Sequence, residues 1–248
     1  YMLENLKFIA EVCKNVYQST LPVDPRIRAS KMYQNAETDC QMYLIELIDR
    51  NEFIIAFRGS DSDLDWRYNC KFKLYSIPKL NIKVHRGFYA QYKSLEHIIT
   101  EYIEINNLEK AKFMIMGHSL GGAVASICSL LLKTRYPDLK VKCYTFGSPR
   151  AGNTAFAELH KELIPETLRI VNNNDPVTMV PTPIFYRHVG ILVLLRQKKI
   201  DSTYRYLKEV GKSTKRILFA IITCNPSSSP VHEHDINEYI EKIEHLVN

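Results

Sequence analysis

Gly117-His118-Ser119-Leu120-Gly121-Gly122-Ala123 sets one hydroxyl between glycines. An apolar run, Phe113-Met114-Ile115-Met116, leads in, and Val124, Ile127, Leu130 and Leu131 mark a helical pattern leading out. Gly-x-Ser-x-Gly at a strand-to-helix turn is the context in which a serine is held up as a nucleophile. Gly117 and Gly121 remove side chains where strand and helix crowd the turn. The new helix aims its free N–H groups at the reacting atom. The alternative is a glycine-rich turn with a bystander serine. The chain has nine glycines and three fall in this heptapeptide, which favours Ser119 as a nucleophile.

A serine hydroxyl needs a base within hydrogen-bond reach and a group to orient that base. In a strand–elbow–helix hydrolase the chain order is serine, acid, histidine. Five histidines follow Ser119: His160, His188, His232, His234 and His245. His160 lies on a helix before any suitable acid, His188 approaches a strand where its ring packs, and His245 ends an amphipathic helix. His232 and His234 sit between a Ser/Pro loop and the last helix, where a base is expected. The acids to weigh are Asp138, Asp175 and Asp201. Asp138 reads as a turn residue after Tyr-Pro, and Asp201 as a helix N-cap. Asp175 closes Ile170-Val171-Asn172-Asn173-Asn174, and carboxyl ends of strands are where ligands meet open α/β sheets. An Asx turn before Pro176 is the bland reading of Asp175; order and position favour the acid.

The elements that must position these residues alternate between strand and helix. An apolar stripe on residues 3–17 predicts a helix. Strands are expected at Gln41–Ile48, Phe53–Phe57, 112–116, 141–146, 167–172 and 184–195. Helices are expected at 89–105, 120–134, 153–163 and 235–247. That alternation predicts an α/β fold with a mostly parallel central sheet covered by helices on both faces. At 248 residues with 46% hydrophobic content, one domain spanning 1–248 is the expectation. No repeat or low-complexity segment interrupts it.

In order along the chain, Phe57-Arg58-Gly59-Ser60 with Asp65-Trp66, Val84-His85-Arg86-Gly87-Phe88-Tyr89, the Ser119 heptapeptide, Thr145-Phe146-Gly147-Ser148-Pro149-Arg150-Ala151-Gly152-Asn153, Asn174-Asp175-Pro176-Val177 and Tyr186-Arg187-His188-Val189-Gly190 resemble blocks of the fungal-type, or class 3, lipase family of α/β-hydrolases. The resemblance runs from about residue 53 to 240. It implies Ser119 as nucleophile, Asp175 as orienting acid and a late histidine as base. In that family the histidine precedes an aromatic residue of the last helix by about five positions. His234 before Tyr239 fits this spacing, and His232 is the fallback. One oxyanion donor should be the Leu120 N–H, beside the nucleophile at a helix start. The other comes from the loop after an early strand, where Ser60 resembles the family's oxyanion residue. His118 is expected to be turned away into packing, and His85 to be a structural hydrogen-bonding residue.

Departures from the family pattern lie at two places. Leu64, Trp66, Tyr68, Cys70, Phe72 and Leu74 alternate with polar residues, which is strand period where a helical lid would stand. Residues 196–216 hold eight basic and two acidic residues, and the whole chain carries +6. That stretch is either a solvated helix face or a contact for anionic membrane. No nucleic-acid motif accompanies it, and nucleic acid is not an expected partner.

The expected function is a cofactor-free, metal-free serine carboxylic-ester hydrolase acting on acyl lipids, close to a triacylglycerol lipase. Phospholipase A1 or soluble carboxylesterase activity is the near alternative, and a non-catalytic lipid-binding scaffold the distant one. The six cysteines show no CxxC spacing, which points to reduced thiols and an intracellular address. No signal peptide is visible at the start, but the chain begins with Tyr1, so a removed leader stays open.

Overall fold

The computed structural model describes residues 2–18, 24–49, 51–59, 73–172, 175–195 and 234–247. A seven-stranded sheet carries the order β1-β2-β3-β6-β7-β8-β9, and β4 and β5 form a separate pair. The strands are β1 (Ile27–Asn35), β2 (Cys40–Leu47), β3 (Glu52–Phe57), β4 (Leu74–Ile77), β5 (Ile82–His85), β6 (Lys112–His118), β7 (Lys140–Phe146), β8 (Leu168–Asn172) and β9 (Ile191–Leu195). The helices are α1 (Met2–Tyr17), α2 (Arg86–Ile105), α3 (Leu120–Arg135), α4 (Thr154–Leu163) and α5 (Ile236–Val247). The first three strands are antiparallel; β3, β6, β7, β8 and β9 run parallel. This is the expected mostly parallel α/β sheet.

Period-two alternation divides the core between two faces. On β3, Phe53, Ile55 and Phe57 meet α2 and α3, whose buried residues include Tyr92, Ile99, Val124 and Ile127. Ile54 and Ala56 point the other way, with Met116 of β6, toward Leu6, Ile9, Val12 and Val16 of α1 and Tyr239 and Ile243 of α5. Burial on both faces explains why β3 and β6 read as continuous apolar runs. The apolar stripe of α1 therefore has a definite partner, and an ion pair between Lys7 and Glu244 at 2.8 Å ties α1 to α5.

The structure corrects the expected elements in three places. β1 was not anticipated; it is a polar edge strand, Ile27-Arg28-Ala29-Ser30-Lys31-Met32-Tyr33-Gln34-Asn35, and offers no apolar run to detect. β4 and β5, of four residues each, are too short to announce themselves. The strand expected over 184–195 is confined to Ile191–Leu195. Gly190 at φ +81° stands immediately before it, which no extended strand residue would adopt. The proposed extended segment over 64–74 lies, apart from its last two residues, outside the described residues.

Three buried imidazoles make stability pH-dependent. Burial pushes His85 down to about 4 and His160 to about 3, and holds His118 well below the ordinary histidine value. The unfolded chain takes up those protons near pH 6.5, so it binds more protons than the folded chain below that point. The stabilisation is complete above about pH 6.5 and is lost as pH falls toward the folded values. The urea midpoint should therefore drop between about pH 7 and pH 5. A midpoint that stays level would mean that these rings protonate inside the fold.

Candidate active site

β6 turns into α3 within one residue. Ser119 sits at the turn with φ 56° and ψ −131°, outside the comfortable regions for a side-chain-bearing residue. The turn closes because the glycines leave no atoms in the way. A Cβ on Gly117 would lie 2.3 Å from the Gly121 carbonyl carbon, and one on Gly121 would lie 2.4 Å from the Phe57 carbonyl oxygen. The Ser119 N–H donates to the Phe146 carbonyl at 2.9 Å, which anchors the turn to the end of β7. These contacts bear out the strand–turn–helix reading of the heptapeptide.

β8 ends at Asn172, and Asp175 stands just beyond it, at the head of a short 3-10 turn over Pro176–Met179. One carboxylate oxygen, Oδ1, accepts from the Val177 N–H at 2.8 Å, and the backbone carbonyl accepts from the Thr178 hydroxyl at 2.8 Å. The Asx turn that was the bland reading is thus real, and it is how the residue is aimed. It leaves Oδ2 free to serve other donors.

His234 brings that second oxygen and Ser119 together. His234 Nδ1–H donates to Asp175 Oδ2 at 2.7 Å, and its Nε2 accepts from Ser119 Oγ at 2.8 Å. Ser119, Asp175 and His234 are all buried, at 0, 2 and 2% exposure. In this low-dielectric setting each charge-assisted bond is stronger than in water.

Three residues complete the site that the sequence had not assigned to it. Tyr239, used only as a spacing marker, donates its hydroxyl to Asp175 Oδ2 at 2.6 Å and accepts from the Asn172 N–H at 3.0 Å. Burial, and then the Asp175 charge, push its phenol well above the ordinary value, so it stays a donor. Lys242 Nζ, one turn further along α5, reaches Asn172 Oδ1 at 2.5 Å. Gly147, after β7, has φ +56°, and a Cβ there would lie 2.5 Å from Asp175 Oδ2 and 3.0 Å from His234 Nδ1. A glycine directly after an apolar strand was the available signal.

The remaining candidates fall where the elimination put them. His160 is buried against the Ser129 hydroxyl at 3.0 Å, and His188 Nε2–H donates to the Thr178 carbonyl at 2.8 Å. His245 is exposed beside Glu241, Asp138 lies in the turn after α3, and His85 caps α2 by accepting from the Phe88 N–H. Leu120 is the first residue of α3, directly after Ser119, so its N–H has no acceptor within the helix. Ser60, His232, Asp201, the basic stretch 196–216 and most of the 64–74 segment lie outside the described residues.

The Tyr239 hydroxyl can be tested without reference to any reaction. Tyr239→Phe deprives Asp175 of a donor and leaves the buried Asn172 N–H without its acceptor. Stability in urea should fall by about 1–3 kcal/mol. An unchanged midpoint would mean that the phenol does not hold α5 to the end of β8.

Comparison with known proteins agrees with this geometry. Residues 54–185, just over half the chain, match the family described as lipase (class 3). A chloroplastic phospholipase A(1) of Arabidopsis thaliana is 28% identical over 199 residues, covering 69% of this chain and 44% of that protein. A secreted mono- and diacylglycerol lipase of Fusarium solani is 30% identical over 159 residues, covering 62% of this chain and 47% of that protein. The chain thus spans less than half the length of these two curated relatives. The triacylglyceride lipase structure of Rhizomucor miehei superimposes with a TM-score of 0.69 at 25% identity, covering 78% of this chain and 80% of that one. With the elbow, the acid and the base in the order and places described, the chain belongs to the class 3 lipase family and has its α/β-hydrolase fold.

Proposed function

We propose that this chain is a serine carboxylic-ester hydrolase acting on acyl lipids. The observation that carries the reading is the unbroken run of hydrogen bonds from Ser119 Oγ through His234 to Asp175 Oδ2, at 2.8 and 2.7 Å. A scaffold that only binds lipid has no use for a strained serine aimed at an imidazole. Ser119 Oγ attacks the ester carbonyl as His234 Nε2 takes its proton. Asp175 holds the ring in the Nδ1–H tautomer and stabilises the imidazolium. Charge gathering on the carbonyl oxygen meets the Leu120 N–H, and Ser60 supplies the second donor. Each such donor is worth roughly 3–4 kcal/mol in comparable sites. His234 then gives its proton to the leaving alcohol, water attacks the acyl-enzyme with His234 again as base, and Ser119 is restored. None of these steps calls for a cofactor or a metal.

Triacylglycerol and other acylglycerols are the first substrates to try, and phospholipid cleaved at its first ester is the second reading, favoured by the chloroplastic relative named above. A panel of triacylglycerol, diacylglycerol, phospholipid and short-chain ester decides between them. Ser119→Ala should abolish hydrolysis and fluorophosphonate labelling while the protein stays folded. His234→Ala should lower turnover by roughly three to six orders of magnitude, and His232→Ala should change it little. Labelling that survives Ser119→Ala would sink the assignment.

We further propose that residues 196–216 draw the enzyme to anionic lipid and that it works inside the cell at a membrane surface. Among the described residues no helix is long and apolar enough to cross a bilayer, so such contact would be peripheral. Each basic residue near an anionic surface contributes roughly 1 kcal/mol, an attraction that fades over a Debye length of about 8 Å at physiological salt. Changing Lys208, Lys212 and Lys215 to glutamate should weaken binding to anionic vesicles and leave hydrolysis of a small soluble ester unchanged. Vesicle binding equal to that of the unaltered protein would reduce the stretch to an ordinary solvated surface.

A further inference from the structure

His118 was expected to be turned away from the chemistry into packing. It is turned from solvent, at 3% exposure, yet both its ring nitrogens are engaged. Nε2 lies 2.7 Å from the backbone carbonyl oxygen of His234, and Nδ1 lies 2.8 Å from the Tyr17 hydroxyl. A carbonyl only accepts, so Nε2 must carry the hydrogen. Nδ1 is then bare and accepts from the Tyr17 O–H. One tautomer satisfies both bonds.

The same ring is fixed by its neighbours. It stacks on the His234 imidazole with centroids 4.6 Å apart and 30° between planes, and the edges of Tyr17 and Tyr239 meet it at 5.7 and 5.9 Å. Tyr17 closes the other end of the chain of contacts. A Cβ on Gly59 would lie 2.0 Å from the Tyr17 hydroxyl oxygen and 2.8 Å from the His118 carbonyl oxygen. The hydroxyl therefore occupies the niche that Gly59 leaves open, directly before Ser60 in sequence.

We propose that His118 and Tyr17 are positioning residues for the catalytic base. The His234 carbonyl fixes the His118 tautomer, Tyr17 donates to the ring nitrogen that this leaves bare, and the pair couples the His234 backbone to Gly59, the residue directly before Ser60 in sequence. The inference rests on the hydrolase reading given above. A backbone anchor is needed because His234 stands just ahead of α5, and its ring must satisfy two partners at once. Burial and the neighbouring His234 also hold His118 well below the ordinary histidine value. A neutral ring lets His234 gain its proton without a second positive charge stacked against it.

The test uses the intact chain. His118→Leu fills the space and removes the donor; kcat should fall roughly 10- to 100-fold with KM held within about twofold, as expected when a reacting group shifts by a fraction of an ångström. His118→Gln keeps an N–H donor near the Nε2 position and should recover most of that loss. Unaltered kcat in the leucine variant, or equal losses in both variants, would reduce His118 to a filler and overturn the proposal. Tyr17→Phe keeps the ring and leaves His118 Nδ1 without its donor, so it should lower kcat by a smaller factor and leave KM alone. Long-range 1H–15N NMR of the unaltered protein at neutral pH supplies a readout independent of turnover. It should find His118 as the neutral Nε2–H form, both there and in Tyr17→Phe, where the His234 carbonyl still demands that tautomer. An Nδ1–H ring or an imidazolium in the unaltered protein overturns the proposal. If the unaltered protein neither hydrolyses esters nor takes up fluorophosphonate, it is the hydrolase reading that fails, and the NMR result stands apart from it.

Discussion

The site depends on the absence of two side chains. β6 and α3 approach so closely that Gly117 and Gly121 touch through their backbones, and Gly121 also lies against the end of β3. That contact sets the reversal at Ser119, and with it the positive φ that lifts the hydroxyl out of line with both elements. Strain of this kind, of order 1–3 kcal/mol, persists only where the surroundings over-determine it. Here they do: β6 is flanked by β3 and β7, α3 is almost wholly buried, and the Ser119 N–H is tied to β7. The serine is therefore placed by the core of the sheet and not by its own side-chain contacts.

The acid and base solve a different problem. Asp175 must receive several donors without losing its charge to any one of them. It does so by dividing its two oxygens. Oδ1 serves the Asx turn and fixes the direction of the carboxylate, while Oδ2 receives both the imidazole and the Tyr239 phenol. Gly147 leaves the space in which these three meet. Since a buried carboxylate is costly unless its lone pairs are occupied, the phenol does for the acid what water would do at a surface. Its pKa, raised well above the ordinary value, prevents it from competing as a second negative charge.

This division also explains what the sequence disclosed and what it withheld. Ser119 and Asp175 were legible because each sits at the end of a strongly periodic element, and such elements fix positions to within a residue or two; periodicity left His232 and His234 both open ahead of the last helix, and the resemblance to the class 3 lipase family chose His234. The apolar stripes of α1 and α5 were legible for the same reason. β1 was not, because an edge strand facing water carries Arg28, Ser30, Lys31 and Gln34 and has no apolar period to reveal it. The roles of Tyr17, Gly147 and Tyr239 were not legible either. They act across 101, 28 and 64 residues of chain, and no local pattern says which distant residue a hydroxyl will bond or a missing side chain will make room for. His118 packs away from the nucleophile as the local argument expected, and the space it turns into is the one behind His234, which that argument could not specify.

The two ends of the chain meet on the same face of the sheet, and this has a mechanical consequence. α1 packs on α5 and covers β3 and β6 from the side opposite α2 and α3, while α5 lies against β9. The base enters from the start of α5, and Tyr17 from the end of α1. The nucleophile is 115 residues from the base and the acid 59. A site closed by such distant contacts forms late, because the loop entropy of joining them is spent before the short bonds at its centre are gained. The imidazole cannot be held between Ser119 and Asp175 until α5 has docked, and α5 docks against a surface that α1 helps to build. Catalytic geometry in this chain is thus tied to the completion of its terminal packing, although neither helix contributes to the parallel sheet that positions the serine.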